Sequence, residues 1–168
     1  MPIHELTQHI FLLLWALIAT VAMTAILEGS QGLGFSRLSL PFLIGTFFTG
    51  NRSKAIFFGF LIYSLGGWAF AFIYILIFIS VGVFTWWFGM LVGILHGIIL
   101  LVWALPVLPY VHPRVASEYN GVTSQRQLEP PGFLALNYGT RTPLITLLGQ
   151  AIYGLTLGGF MQLNNLSS

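Results

Sequence analysis

Four stretches of this chain run without a charged side chain for long enough to cross a lipid bilayer: residues 10–27, 55–79, 85–105 and 144–163. A run of about 18 apolar residues is enough for a spanning helix, because in lipid every backbone N–H and C=O must find its partner within the segment. Only 6% of the residues are charged, against about 25% in soluble domains, and mean hydropathy is +0.89. The sequence therefore predicts an all-α polytopic membrane protein, a single integral domain over 1–168, with four transmembrane helices.

The first run carries no Lys or Arg ahead of it and no small-residue cleavage site behind it. It therefore reads as an uncleaved helix rather than a signal peptide, ending at Glu28 and the glycine-rich GSQGLG. Residues 38–50 are apolar, but at 1.5 Å per residue they reach only about 20 Å. Flanked by Arg37 and Arg52, they are expected to form a short re-entrant or interfacial helix, with start signals at Ser39 and Pro41. Asn51 or Ser53 is a plausible cap for the second span. A turn at 80–82 follows it, and Pro106, Pro109 and Pro113 are expected to end the third. Thr142 and Pro143 read as the N-cap and first turn of the last.

The six cations are Arg37, Arg52, Lys54, Arg114, Arg126 and Arg141. With four spans they all fall in the segments 28–54 and 106–143, which the positive-inside rule places in the cytoplasm with both termini outside. No basic tract points to nucleic acid. There is no cysteine, which excludes thiolate metal sites, disulfides and cysteine nucleophiles. GxSxG, Walker A, HExxH and GxGxxG motifs are absent, so an enzyme is the less favoured class.

Helices in lipid pack through small residues. Gly89, Gly93 and Gly97 form one such stripe, Gly154 and Gly158 a second, and Ala16, Thr20 and Thr24 a looser third. His96 is the most informative residue inside a span. At 100° per residue it lies about 20° from Gly89 and 60° from Gly93, pointing into the bundle. It has two readings: a neutral histidine bonded across a helix interface, or a group in proton relay, ligand contact or haem or metal ligation. Gln150, Tyr63 and Ser64 are the other buried polar candidates, together with Glu28, for which pairing with a loop arginine is expected. A metal site from Glu28, His96, His112 and Glu118 lacks any two ligands on one helix face. A catalytic set of His112, Ser117 and Glu118 rests on proximity alone. No cofactor is expected.

The interval 106–143 is the only long polar one. Pro130, Pro131 and Gly132 enforce a turn. Leu128, Phe133, Leu134 and Leu136 call for a covered surface, so this loop reads as a cap over the bundle. His112, Arg114, Glu118, Arg126, Glu129, Asn137 and Arg141 are its candidates for docking a protein or anionic headgroups.

The combination of TAILEGSQGLG, LHG, HPR, RQLEPPGF, NYG and RTPL resembles a family of small bacterial four-helix inner-membrane proteins of unassigned function, over about Ala22 to Phe160. The resemblance implies four helices and a bacterial inner membrane; it assigns no activity and no site residue. The leading expectation is an accessory or structural subunit of a larger membrane complex, with an electron-transfer complex as one candidate. Its partners would be membrane lipids and either another protein or further copies of itself. The alternative is a small proton-coupled transporter or channel using His96 and Glu28.

Overall fold

The computed structural model describes the backbone of residues 3–117 and 127–167, and the side chains of 11–117 and 127–164. Its helices are α1 (Ile3–Gly32), α2 (Leu40–Phe48), α3 (Arg52–Val81), α4 (Trp86–Ile99), α5 (Leu105–Val111) and α6 (Thr142–Ser167). A π turn, Leu100–Ala104, fuses α4 to α5, and a 3₁₀ turn, Phe133–Tyr138, precedes α6. Four stretches are long and apolar enough to cross a membrane: Phe11–Gly32, Arg52–Val81, Trp86–Val111 and Thr142–Asn164.

Local chemistry sets most boundaries. The side chains of Ser39, Asn51 and Thr85 accept from the backbone N–H three residues on, capping α2, α3 and α4. Gly82 closes α3 with φ +73, its N–H bonded to Phe78 O at 2.9 Å.

Three boundaries differ from expectation. The first helix does not stop at Glu28 but continues to Gly32; it closes where Phe35 N bonds Ser30 O at 2.9 Å and Gly34 takes φ +72. Pro106 and Pro109 do not end the third span, which runs through them to Val111. A proline inside a helix lacks an N–H and crowds the carbonyl four residues back, and the wider π turn just before Pro106 accommodates the mismatch. Thr142 is not an N-cap: it is the first helical residue, and its hydroxyl is 2.9 Å from that of Ser36, both buried.

Two close helix contacts set the packing. The glycine stripes of α4 and α6 face one another: a Cβ on Gly89 would lie 2.2 Å from Gly154 O, and one on Gly154 2.0 Å from Gly89 O. The second contact joins α2 to α3, where a Cβ on Gly45 would lie 1.7 Å from Ala55 O and one on Gly59 1.8 Å from Pro41 O. α1 packs on α6 and α3, with Gly67 of α3 against Thr20. The helices thus form a bent row, α4–α6–α1–α3–α2, whose members α3 and α4 hardly touch.

The joining stretches 33–39, 112–117 and 127–141 meet at one end. Arg37 N donates to Tyr138 O at 2.7 Å, its guanidinium bonds Asn137 O, and Nη1 lies 3.0 Å from Glu129 Oε2. Leu128 N bonds Arg114 O at 2.7 Å. Of the apolar loop residues, Leu128 and Leu134 pack on the core, while Phe133 and Leu136 stay exposed.

Candidate functional site

The gap between α3 and α4 is a cavity of about 660 Å³, within the range of about 300–1,000 Å³ that takes a small molecule. Its walls are almost wholly apolar: Leu40, Leu43, Ile44 and Phe47 of α2 at one end, Leu105 and Leu108 of α5 beside them, and Ile73, Leu95, Ile99 and Trp103 at the side. Trp103 is 69% exposed and Leu95 57%. The cavity therefore opens between α3 and α4, along the apolar flank of the helices.

A polar patch lies on its inner wall. His96 reaches across from α4 to α3: its Nδ1 is 3.2 Å from the Tyr74 hydroxyl and its ring 4.3 Å from that of Phe70. Tyr74 has no other bonded partner among the described residues, and the bond runs either from its O–H to Nδ1 or from Nδ1–H to its oxygen, according to the tautomer of His96. His96 Nε2 has no bonded partner among the described residues. The ring of Tyr153 stands edge-on to Tyr74 at 5.3 Å, and its hydroxyl donates to Gly67 O.

Gln150 and Tyr63 complete the patch. The Gln150 side chain is 4% exposed and its Oε1 has no hydrogen-bond partner among the described residues. The Tyr63 hydroxyl lies beside Thr24, whose own proton goes to Thr20 O at 2.6 Å, and makes no well-formed hydrogen bond. Both residues line the cavity. An unpartnered buried polar group costs about 1–3 kcal/mol, and both oxygens are closed off from the cavity space by their neighbours.

The other sequence candidates are distributed differently. Ser64 is not part of the patch; its hydroxyl turns back to Phe60 O at 2.8 Å. Glu28 is not paired with an arginine among the described residues: its Oε1 accepts from Ser39 Oγ at 2.8 Å, and it does not line the cavity. His96 and Glu28 thus hold separate partners. Gly89, Gly93, Gly97, Gly154 and Gly158 lie in the α4–α6 contact. Glu118 and Arg126 fall outside the described residues. Among the described residues no three metal-ligating side chains come together.

His112 fastens the far end of the cavity. Its Nδ1 accepts from Arg114 N at 3.1 Å, so Nε2 carries the proton and donates to Leu43 O at 3.0 Å. Arg114 Nη1 donates to Thr46 O at 2.6 Å and Phe47 O at 3.1 Å, placing a cation on the free carbonyls that end α2. Burial, followed by the Arg114 charge, holds His112 below the ordinary histidine value of 6.5, against the opposing pull of the Leu43 bond. In the cap, Tyr138 donates to Glu129 O at 2.6 Å and is pushed up to about 12 by burial and Glu129, with Arg37 opposing. Asn137 Nδ2 bonds Pro130 O at 3.0 Å, and the Arg141 guanidinium lies 4.7 Å over the Phe35 ring.

The sequence reading missed Tyr74 and Tyr153. A signal for Tyr74 was present: it follows Tyr63 by eleven residues, which at 100° per residue puts both on one face of α3. Comparison with protein families, with curated proteins and with solved structures finds no match for this chain.

Proposed function

We propose that this chain is an accessory membrane protein, without catalysis of its own, that holds a lipid-soluble molecule in the cavity between α3 and α4. The observation that carries this reading is the cavity itself: apolar walls and a side opening along exposed apolar helix faces. A ligand arriving from the acyl-chain region needs no aqueous route. The accessory role follows from the apolar, uncharged lining, which offers no nucleophile beside a base. A complex that handles a lipid-soluble substrate is the natural partner.

In this proposal the membrane is a bacterial inner membrane, and the end where Arg37, Arg52, Lys54, Arg114 and Arg141 lie faces the cytoplasm. α2, bound edge to edge against α3, enters the bilayer from that side as a re-entrant helix and forms the cavity's floor.

Gly66 supplies the test. It lines the cavity, and a Cβ there would meet nothing within 4 Å, so Gly66→Phe adds bulk at the cavity wall from a position with room for its first carbon. Purification in a mild detergent, organic extraction and mass spectrometry should find an apolar molecule retained by the wild type and lost from Gly66→Phe. Equal retention by both, or none by either, contradicts the proposal.

A further inference from the structure

We infer that the cavity is gated: His112 and Arg114 strap the end of α2 across one end of it, and a proton taken up by His112 frees α2 and the first half of α3 to lean away from α5. The inference rests on the reading of the cavity as a ligand site and concerns the regulation of that site.

The two walls of the cavity belong to different parts of the molecule. α4, α6 and α1 pack as one block, whereas α2 is seated on the first turns of α3 through Gly45 and Gly59. α3 is fixed to the block near Gly67, whose carbonyl accepts from Tyr153 and against which Thr20 packs. Nearer its N-terminus the Tyr63 hydroxyl, beside Thr24, makes no well-formed hydrogen bond. The start of α2 is tied to α1, by the Ser39–Glu28 bond and by Gln31 Nε2 donating to Leu38 O at 2.6 Å. Beyond these ties, α2 and residues 52–66 form an arm that ends in the turn at 49–51.

The strap crosses from the other wall to that end. His112 Nε2 donates to Leu43 O and lies 3.3 Å from Thr46 Oγ1, its ring is 4.1 Å from that of Phe47, and Arg114 holds the carbonyls of Thr46 and Phe47. Every one of these partners is on α2. Leu43, Phe47 and His112 also line the cavity, so the strap is part of the wall it closes. Movement of α2 away from α5 breaks the strap and uncovers His112, which is otherwise 2% exposed.

A proton acts against the closed form. The strap needs a neutral His112, because Nδ1 accepts the Arg114 N–H; a proton placed there sets N–H against N–H. The imidazolium would also face the Arg114 guanidinium with no carboxylate to offset it. Among the described residues Glu28 is bonded to Ser39 and Glu129 to Arg37. α2 carries no ionisable side chain, α5 and the 3₁₀ turn only the phenols Tyr110 and Tyr138, and the first turn of α3 only the cations Arg52 and Lys54. Burial and Arg114 hold the closed His112 below the ordinary histidine value. Uncovered, the ring returns toward about 6.5, so the open form takes the proton more readily and acidification shifts the population toward it.

The test reads the gate and the ligand separately. The chain has no cysteine, so Phe57→Cys on α3 and Leu144→Cys on α6, both at exposed positions, carry spin labels that report the spacing of arm and block in lipid nanodiscs. A single short distance is expected at about pH 8, and at about pH 5 a longer population should rise about threefold or more. His112→Gln keeps a donor and an acceptor but takes no proton, and should hold the short distance at both pH values. Arg114→Gln removes two bonds of the strap and should show the longer population already at the higher pH. In parallel, native mass spectrometry of the full chain in detergent follows bound dodecylbenzene, whose release on dilution should quicken about threefold or more at the lower pH in the wild type and not in His112→Gln. Distances unchanged between the two pH values, or a pH response that survives in His112→Gln, overturn the gate while leaving the cavity a ligand site. Should His112→Gln fold poorly, a wild-type distance that ignores pH, or an Arg114→Gln protein as closed as the wild type at the higher pH, overturns the gate by itself. Dodecylbenzene held equally by the wild type and Gly66→Phe, or by neither, overturns the ligand site and its gating with it, whatever the distances show.

Discussion

Gly93 of α4 and Gln150 of α6 meet backbone to backbone: a Cβ on Gly93 would stand 2.1 Å from Gln150 O. The same contact that joins these helices therefore fixes the Gln150 side chain at the cavity wall, so the glycine stripe positions the site as well as the bundle.

Gly93→Ala and Gly154→Ala are expected to destabilise the protein by about 1–3 kcal/mol each, the usual cost of inserting a carbon into a closed contact. Gly159, also on α6, has nothing within 4 Å of a would-be Cβ, and Gly159→Ala should be neutral or slightly stabilising. Unfolding titrations in mixed detergent micelles compare the three.

The seat of α2 on α3 has the same character. Gly59→Val should detach α2, because its Cβ would overlap Pro41 O at 1.8 Å. The chain has no cysteine, so spin labels attached through Phe48→Cys and Phe57→Cys, at exposed positions, report the α2–α3 distance. A narrow distribution is expected in the otherwise native protein and a broad, longer one with Gly59→Val.

Much of this architecture is legible in the amino-acid sequence. Charge-free runs mark the spans, because lipid tolerates little else, and Ser39, Asn51 and Thr85 mark helix starts because a polar side chain beside an apolar run has an N-terminal N–H to satisfy. The four-residue glycine spacing shows a packing face but not its partner. Passage of the chain through Pro106 and Pro109 is invisible, since a π turn is resolved by tertiary packing rather than by local preference. The cavity is harder still to foresee: it exists because α3 and α4 meet only through a few side chains, among them Tyr74 and His96, and no residue pattern records how far apart two helices stand. His96 stands out as an ionisable group within a span, whereas its neighbour Tyr74 reads as one more aromatic.

His112 makes stability depend on pH. Its folded-state value is held below the ordinary 6.5 by burial and Arg114, so on acidification the unfolded chain takes up the proton first and stability falls. Thermal stability should be level above pH 6.5 and decline below it. With His112→Gln that part of the decline should disappear, as melting curves between about pH 5 and pH 8 would show.

The cap contains two polar links of unequal weight. Arg37 and Glu129 form an ion pair whose side chains are 67% and 47% exposed, and Glu129→Gln should cost less than about 1 kcal/mol. Ser36 and Thr142 share a hydrogen bond that is fully enclosed. Thr142→Val removes this enclosed bond, leaving Ser36 Oγ only the Leu38 N–H at 3.1 Å, and should cost about 1–3 kcal/mol. Thermal shift assays on the two variants are expected to rank them in that order.

The central claim is that the space between α3 and α4 is filled by a lipid-soluble molecule. A high-resolution structure of the protein in lipid nanodiscs made from its own membrane tests this most directly. The account predicts elongated density that enters between Leu95 and Ile73 and ends beside His96 and Gln150. A cavity closed by contact between α3 and α4, or one holding only water, would contradict it.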